Sequence, residues 1–357
     1  MSRRAILVIL AVVVVLPAAA FVAGWYWLAG QIELTLAQWA LAQRNAGTEL
    51  RWQSLDRSGF PFHVGVRMDG AEAAGRVGAW GWRWQGPAVD VHLRPLADDR
   101  LAFLAPGRHA VDLAGPGQQA AAIVDGKTVA LAVDLAGASR IGGGTLTARA
   151  VDAATADGTF LAALREGDFA WRRIAARPAA PGAVHEAPSQ TARASVAGVT
   201  LGKPFIGPAV EVLGPDIAAA SVELRLDGEL APGAGPLAPA LTAWRDAGGS
   251  LEVTRLAISW GPLRAEGDGT ATLDADLQPE GAFALRVRGM AQLLVALERQ
   301  RLIEPQAAAI ARLAITAFSR PAADGTTPEL QVPVTIQKRR LFLGPVALVT
   351  LPPVRWD

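Results

Sequence analysis

The chain has 357 residues, of which 51% are hydrophobic and 19% charged, and 34 basic residues against 33 acidic ones leave a formal net charge of +1. So apolar a chain is not a disordered polymer, and so balanced a charge argues against the basic surface that a nucleic-acid-binding protein needs. Cysteine is absent, which excludes disulfides, cysteine-ligated zinc and thiol nucleophiles.

Residues 5–23 read AILVILAVVVVLPAAAFVA, without a charge. As a helix this run is roughly 28 Å long, close to the hydrocarbon thickness of a bilayer. Arg3 and Arg4 precede it and Trp25, Tyr26 and Trp27 follow. By the positive-inside rule the arginines stay cytoplasmic, the aromatic triplet lies at the far interface, and the remaining chain is exported. The competing reading is a cleaved signal peptide with its site at Ala18-Ala19-Ala20. The run continues past those alanines to Leu28, longer than a signal's apolar core, which favours an anchor over residues 1–30.

Residues 31–47 follow as an amphipathic stalk. Ile32, Leu34, Leu36, Trp39, Ala40 and Ala42 supply its apolar side, and Gly47 ends it. From Thr48 the period changes to two. Strands are expected around Leu50 and Trp52, over 60–68, 79–85, 89–94, 101–104, 109–113, 120–124, 128–135 and 144–151. Glycine pairs such as Gly86-Pro87, Pro106-Gly107, Asp125-Gly126 and Asp157-Gly158 punctuate them. The proline- and alanine-rich stretch 177–190 reads as a linker or long loop. It would divide an N-terminal β-rich half, 48–176, from a C-terminal one, 191–357.

In the second half strands are expected over 191–201, 219–226, 249–261, 263–267, 269–277, 281–289, 330–337 and 339–343. A bulge near Thr254 would break the alternation of the third. A short helix is expected at 241–247 and two more near 289–319. In the first of that pair Leu293, Leu294, Leu297 and Ile303 line one face; in the second Ala309, Ile310, Leu313 and Phe318 do so. The fold class is therefore mainly β with some helix: an N-terminal transmembrane helix, then a curved antiparallel sheet or groove with a few packed helices.

Chemistry is sparse. His63, His92, His109 and His185 show no zinc-ligand spacing, and neither a nucleophile elbow nor a phosphate-binding loop is present. The acidic run 266–276 lacks the order of a calcium loop. Asp268-Gly269 reads as a hairpin turn, and Asp274 and Asp276 as solvent-facing strand residues. Ser58, Ser195 and Ser259 have no base beside them in sequence, although a triad is assembled in space. Lys338-Arg339-Arg340 reads as a solvated hairpin turn, with contact to acidic lipid headgroups as the rival. No catalytic residue, metal ligand or cofactor site emerges.

Several short motifs occur in order: Trp52-x-x-Leu55-x-Arg57-Ser58-Gly59-Phe60-Pro61-Phe62, then Trp260-Gly261-Pro262-Leu263, then Leu343-Gly344-Pro345-Val346. With the N-terminal anchor, they make the chain resemble an uncharacterised family of Gram-negative, chiefly alphaproteobacterial, envelope proteins. The resemblance singles out Trp52, Ser58, Gly59, Phe60, Pro61, Phe62, Trp260, Gly261, Pro262, Gly344 and Pro345 as structural-motif residues, and it implies no activity or cofactor. More distantly the chain is similar to AsmA-like envelope proteins, whose apolar β-groove is linked to lipid transport.

The expectation is a single-pass inner-membrane protein with its bulk in the periplasm, non-enzymatic, binding or transferring phospholipid through an apolar groove. A scaffold for another envelope protein is the alternative, and a hydrolase whose residues meet only in space is a third. No nucleic acid is expected among its partners.

Overall fold

The computed structural model describes residues 3–45, 47–77, 80–94, 98–115, 118–135, 141–174, 189–205, 207–230, 237–300, 305–321, 328–343 and 346–356. Strands make up 61% of it, paired antiparallel in one large sheet, with few helices. The mainly β expectation holds. The chain forms two compact units, one of residues 1–121 and 130–141, the other of 122–129 and 142–357.

The first unit begins with helix α1, Arg3–Asn45. It is unbroken, so the apolar run and the stalk are one rod. Trp25, Ala29, Leu36 and Ala40 are buried, with Ile32 half-buried between them. Their spacing of three, four and seven is one helical face. Leu34, Trp39 and Ala42, expected on that face, are exposed instead. Gly47 follows in a left-handed turn (φ 87°).

Strands β1 (Glu49–Arg51), β4 (Glu72–Val77), β5 (Trp80–Gln85) and β8 (Gly107–Gly115) form one ribbon in that order. Strands β2 (Ser54–Ser58), β3 (Val64–Asp69), β6 (Ala88–Arg94) and β7 (Asp98–Leu104) form another, with β7 also pairing residues 130–134 of β9 (Gln118–Leu135). The core is Leu36 of α1 against Val66 and Met68 of β3 and Val89 and Val91 of β6; Trp52, Leu55 and Trp84 pack on it. Asp125-Gly126, expected as a turn, lies inside the single long strand β9. His109 is buried, stacked on Trp84, and its Nε2 hydrogen-bonds to the Ala105 carbonyl at 2.8 Å.

The second unit is a meander. Strands β10 (Ile141–Thr155), β11 (Phe160–Ile174), β12 (Ser189–Leu201), β13 (Asp216–Asp227), β14 (Ser250–Trp260), β15 (Leu263–Leu273) and β16 (Pro279–Arg288) each pair with the next. The short strand β17 (Ser319–Pro321) pairs with β18 (Pro328–Gln337), which also pairs with β16; β19 (Arg340–Leu343) and β20 (Val346–Thr350) complete the sheet. The expected bulge is present: the β14–β15 register shifts between Val253 and Leu256.

Of the stretch 177–190 read as a linker, residues 177–188 lie outside the described residues, and Ser189 and Gln190 open β12. β11 and β12 on either side pair from Ala162↔Leu201 to Ile174↔Ser189. The two compact units divide near residue 141.

Helices stand at the strand ends. Between β12 and β13, α2 (Pro208–Leu213) leads to Gly214, whose carbonyl accepts a 2.7 Å bond from Trp260 Nε1. Between β13 and β14, α3 (Leu237–Asp246) buries Leu241 and Trp244. After β16 come α4 (Met290–Arg299) and α5 (Pro305–Phe318), joined by the Arg312–Glu298 ion pair at 2.6 Å. Of the faces expected there, Leu294 is buried, whereas Leu313 is 73% exposed and Ala309 exposed; among the described side chains of α5, Ala308 is buried. The side chains of Ile303, Ile310 and Phe318 lie outside the described residues.

Two turns differ from expectation. Asp268 and Gly269 sit in the middle of β15, and the β14–β15 turn is Gly261-Pro262, with Gly261 at φ 52°. Asp274 and Asp276 belong to the β15–β16 turn, where Asp274 Oδ1 accepts the amides of Asp276 and Gln278 at 2.9 and 2.8 Å. Gln278, buried, pairs with both backbone groups of Val354, holding the C-terminal segment against this turn.

Lys338 and Arg339 form the two-residue β18–β19 turn, both left-handed (φ 49° and 59°). Left-handed backbone strains residues with a full side chain, and Asn is favoured at the first such position. Lys338→Asn is expected to raise stability by about 0.5–1 kcal/mol, read by denaturant midpoint; an unchanged or lowered midpoint refutes that reading of the turn.

Candidate functional site

Alternation along the second unit's strands sorts its side chains onto two faces. One register row runs Trp171, Ala192, Leu224, Val253, Gly269, Phe283, Val334. The next on the same face runs Phe169, Ala194, Val222, Leu256, Gly267, Leu285, Val332. No charge interrupts either row. Seven strands at about 4.8 Å make this face roughly 29 Å wide. Large side chains lie over glycines: a Cβ on Gly269 would fall 2.4 Å from the Phe283 ring, and one on Gly144 would fall 2.2 Å from Trp171.

These side chains are half-buried or exposed; in the two rows only Val253 and the glycine Gly267 are buried. Water-exposed apolar area on this scale is unusual for a monomer.

The opposite face is polar. Its central row is Asp168, Ser195, Ser221, Ala257, Glu266, Arg286, Gln331. Arg149 bridges Asp168 and Glu166 at 3.0 and 3.1 Å and donates to the Gly167 carbonyl at 2.9 Å. A shallow cavity of about 300 Å³ is lined by Glu166, Asp168, Ser195, Ser221 and Ser259, and a second of about 360 Å³ by Thr145, Arg193 and Glu223 among others. Serines and carboxylates thus converge, but neither lining contains a histidine, and Asp168 is engaged by Arg149 and Thr147. Among the described residues no cluster of three or more His, Asp or Glu could hold a metal ion.

In the first unit the motif residues meet the helix. Gly59 turns left-handed (φ 93°), and a Cβ there would strike the His63 ring at 2.3 Å. The chain then presents Phe60, the cis-linked Pro61, and Phe62, which is 92% exposed. These three precede β3 rather than opening it, and His63 belongs to the same turn. Phe60 contacts Trp25 edge-on at 5.4 Å, and lies 6.4 Å from Phe21 and 6.5 Å from Tyr26. Trp25 Nε1 donates to the His63 carbonyl at 2.7 Å.

Arg57 grips Glu33 through two hydrogen bonds of 2.8 and 3.1 Å and lies over the Tyr26 ring. The hydrogen bond from Arg57 holds the Glu33 carboxyl below its ordinary value near 4.5. A depressed carboxyl stabilises the fold above that ordinary value and ceases to as pH falls through its lowered one. Glu33→Gln is therefore expected to lower the melting temperature modestly at pH 7, and the gap from the parent should close as pH falls past that ordinary value and through the lowered one. A gap constant across that range would refute the assignment.

The other sequence-derived positions fall as follows. Trp52 packs on the first unit's core, and the Ser58 hydroxyl faces Gly65. Trp260, Gly261 and Pro262 form the β14–β15 hairpin end. Gly344 and Pro345 lie outside the described residues, as does His185. The apolar run 5–23 lies, but for its last three residues, outside the described side chains. Among the described residues no helix is long and apolar enough to cross a membrane. Sequence reasoning overlooked the Arg149–Asp168–Glu166 cluster and strand β11, although Leu164, Phe169 and Trp171 signal it.

A profile of an uncharacterised protein family conserved in bacteria (DUF2125) matches residues 25–352. No curated protein matches, and no solved structure does.

Proposed function

The chain belongs to this uncharacterised bacterial family, and on that footing we propose that it is a non-enzymatic, single-pass inner-membrane protein whose periplasmic sheet binds or transfers phospholipid. The observation that carries the reading is the uncovered apolar face of the second unit: uncharged rows of Val, Leu, Phe and Trp with their side chains only half-buried. Acyl chains bound there would remove that surface from water at about 25 cal/mol per Å². The apolar run 5–23, within the unbroken helix α1, supports the anchor: only a helix or a closed barrel satisfies its backbone in lipid. The same open face supports the AsmA-like comparison as one of architecture.

The test is lipid content. The full chain is extracted from membranes in mild detergent and its bound phospholipid quantified by mass spectrometry, beside Leu146→Glu and Leu256→Glu. Both positions are exposed on the apolar face, so charge there costs little stability. Bound lipid should fall several-fold in these variants and stay unchanged in Glu223→Gln on the opposite face. Equal lipid in all four proteins overturns the reading.

A second reading, a scaffold for another envelope protein, draws on α1. Trp27, Leu34 and Leu41 recur every seven residues and are 66%, 58% and 56% exposed, the pattern of a helix awaiting a partner. Leu34→Cys, in a chain without cysteine, should cross-link in membranes to one stoichiometric protein if this reading holds.

A further inference from the structure

We infer that the loop carrying Phe60 and Phe62 is a second membrane contact, its rings seated in the lipid interface beside the point where α1 leaves the bilayer. This rests on reading residues 5–23 as a membrane anchor, and goes beyond it by stating how the first unit sits on the membrane.

The geometry is specific. Phe21 belongs to the last turn of the apolar run, and its ring lies 6.4 Å from that of Phe60. Phe60 is therefore level with the end of the run, not farther along the stalk. Phe62 lies two residues on, and its side chain is almost wholly exposed. A phenylalanine left in water forgoes roughly 1.5–3 kcal/mol of transfer free energy, so an exposed one two residues from Phe60, whose ring neighbours Phe21 and Tyr26 are exposed too, calls for an apolar occupant.

The occupant is lipid because of what adjoins the patch. The loop is continuous with the end of an apolar helical run, at the height where aromatic rings collect at membrane interfaces. It is also held rigidly for the task. Trp25 Nε1 bonds the His63 carbonyl, and Arg57 clasps Glu33 on the next helical turns. Both fix the loop to α1, so Phe62 is presented by a clamped turn. A clamped turn loses little freedom on insertion, which lowers the cost of binding.

The test uses the full chain in vesicles of phosphatidylethanolamine and phosphatidylglycerol. Single cysteines replace Phe62, Val13 in the apolar run and Asp157 in the exposed β10–β11 turn, and each carries a nitroxide. Collision with oxygen, which concentrates in lipid, is compared with collision with a water-soluble nickel complex. The oxygen-to-nickel ratio at 62 is expected several-fold above that at 157 and on the side of that at 13. A ratio at 62 equal to that at 157, with 13 in lipid, overturns the inference and leaves the anchor standing. A label at 62 shielded from both reagents marks a protein occupant and also overturns it. A ratio at 13 equal to that at 157 removes the anchor, and the inference with it.

Discussion

Trp25→Ala is expected to cost about 3–5 kcal/mol, the range for truncating a buried aromatic, and to loosen α1 from the first unit. Trp25 is buried between the helix and the motif loop. It packs with Ala29 against Val64, meets Phe60 and Tyr26 edge-on, and satisfies the His63 carbonyl. Truncation opens a cavity and orphans that carbonyl. Trp25→Phe separates the two effects: it keeps most of the ring but not the donor, so it should cost about 1–3 kcal/mol. Chemical denaturation of the detergent-solubilised chain, followed by tryptophan fluorescence, reads both. Equal stability of Trp25→Ala and the parent would mean that the helix does not dock through this residue.

Trp244→Ala should cost a comparable 3–5 kcal/mol in the second unit. Trp244 is buried at 4% exposure, its Nε1 donates to the Asp227 carbonyl at 2.8 Å, and its ring covers two glycines. A Cβ on Gly249 would lie 2.3 Å from the ring, and one on Gly228 3.1 Å. Gly249→Ala should therefore destabilise by displacing the indole, and the same change should cost much less in a Trp244→Ala background. Residues in contact couple in this way, distant ones do not. Additive costs would show that the ring and the glycine do not touch.

How far the sequence discloses this molecule depends on the length over which a local signal operates. The two-residue period of β13 or β16 alternates cleanly because one face is apolar and the other charged, so those strands are legible. β11 is not, because Arg165, Glu166 and Asp168 crowd its centre, and Arg149, the partner of the two carboxylates, comes from β10. Gly267 and Gly269 look like turn residues in isolation. Their reason is long-range: the strand opposite supplies Leu285 and Phe283, whose bulk needs the space that a side chain would fill. The motif Ser58-Gly59-Phe60-Pro61-Phe62 is visible as a pattern, but its seat on Trp25 and Glu33 arises from a contact some 30 residues distant. The open apolar face is a property of register across many strands, and no single stretch displays it.

The claim on which the rest depends is that lipid occupies that face. Face-resolved photo-crosslinking tests it most directly. The full chain is produced in cells with a benzophenone amino acid at Leu224 or, separately, at its neighbour Glu223, whose side chain points to the opposite face. Irradiation of intact cells should attach phospholipid at 224 and not at 223. Absence of lipid at 224, or equal labelling at both positions, would contradict the account.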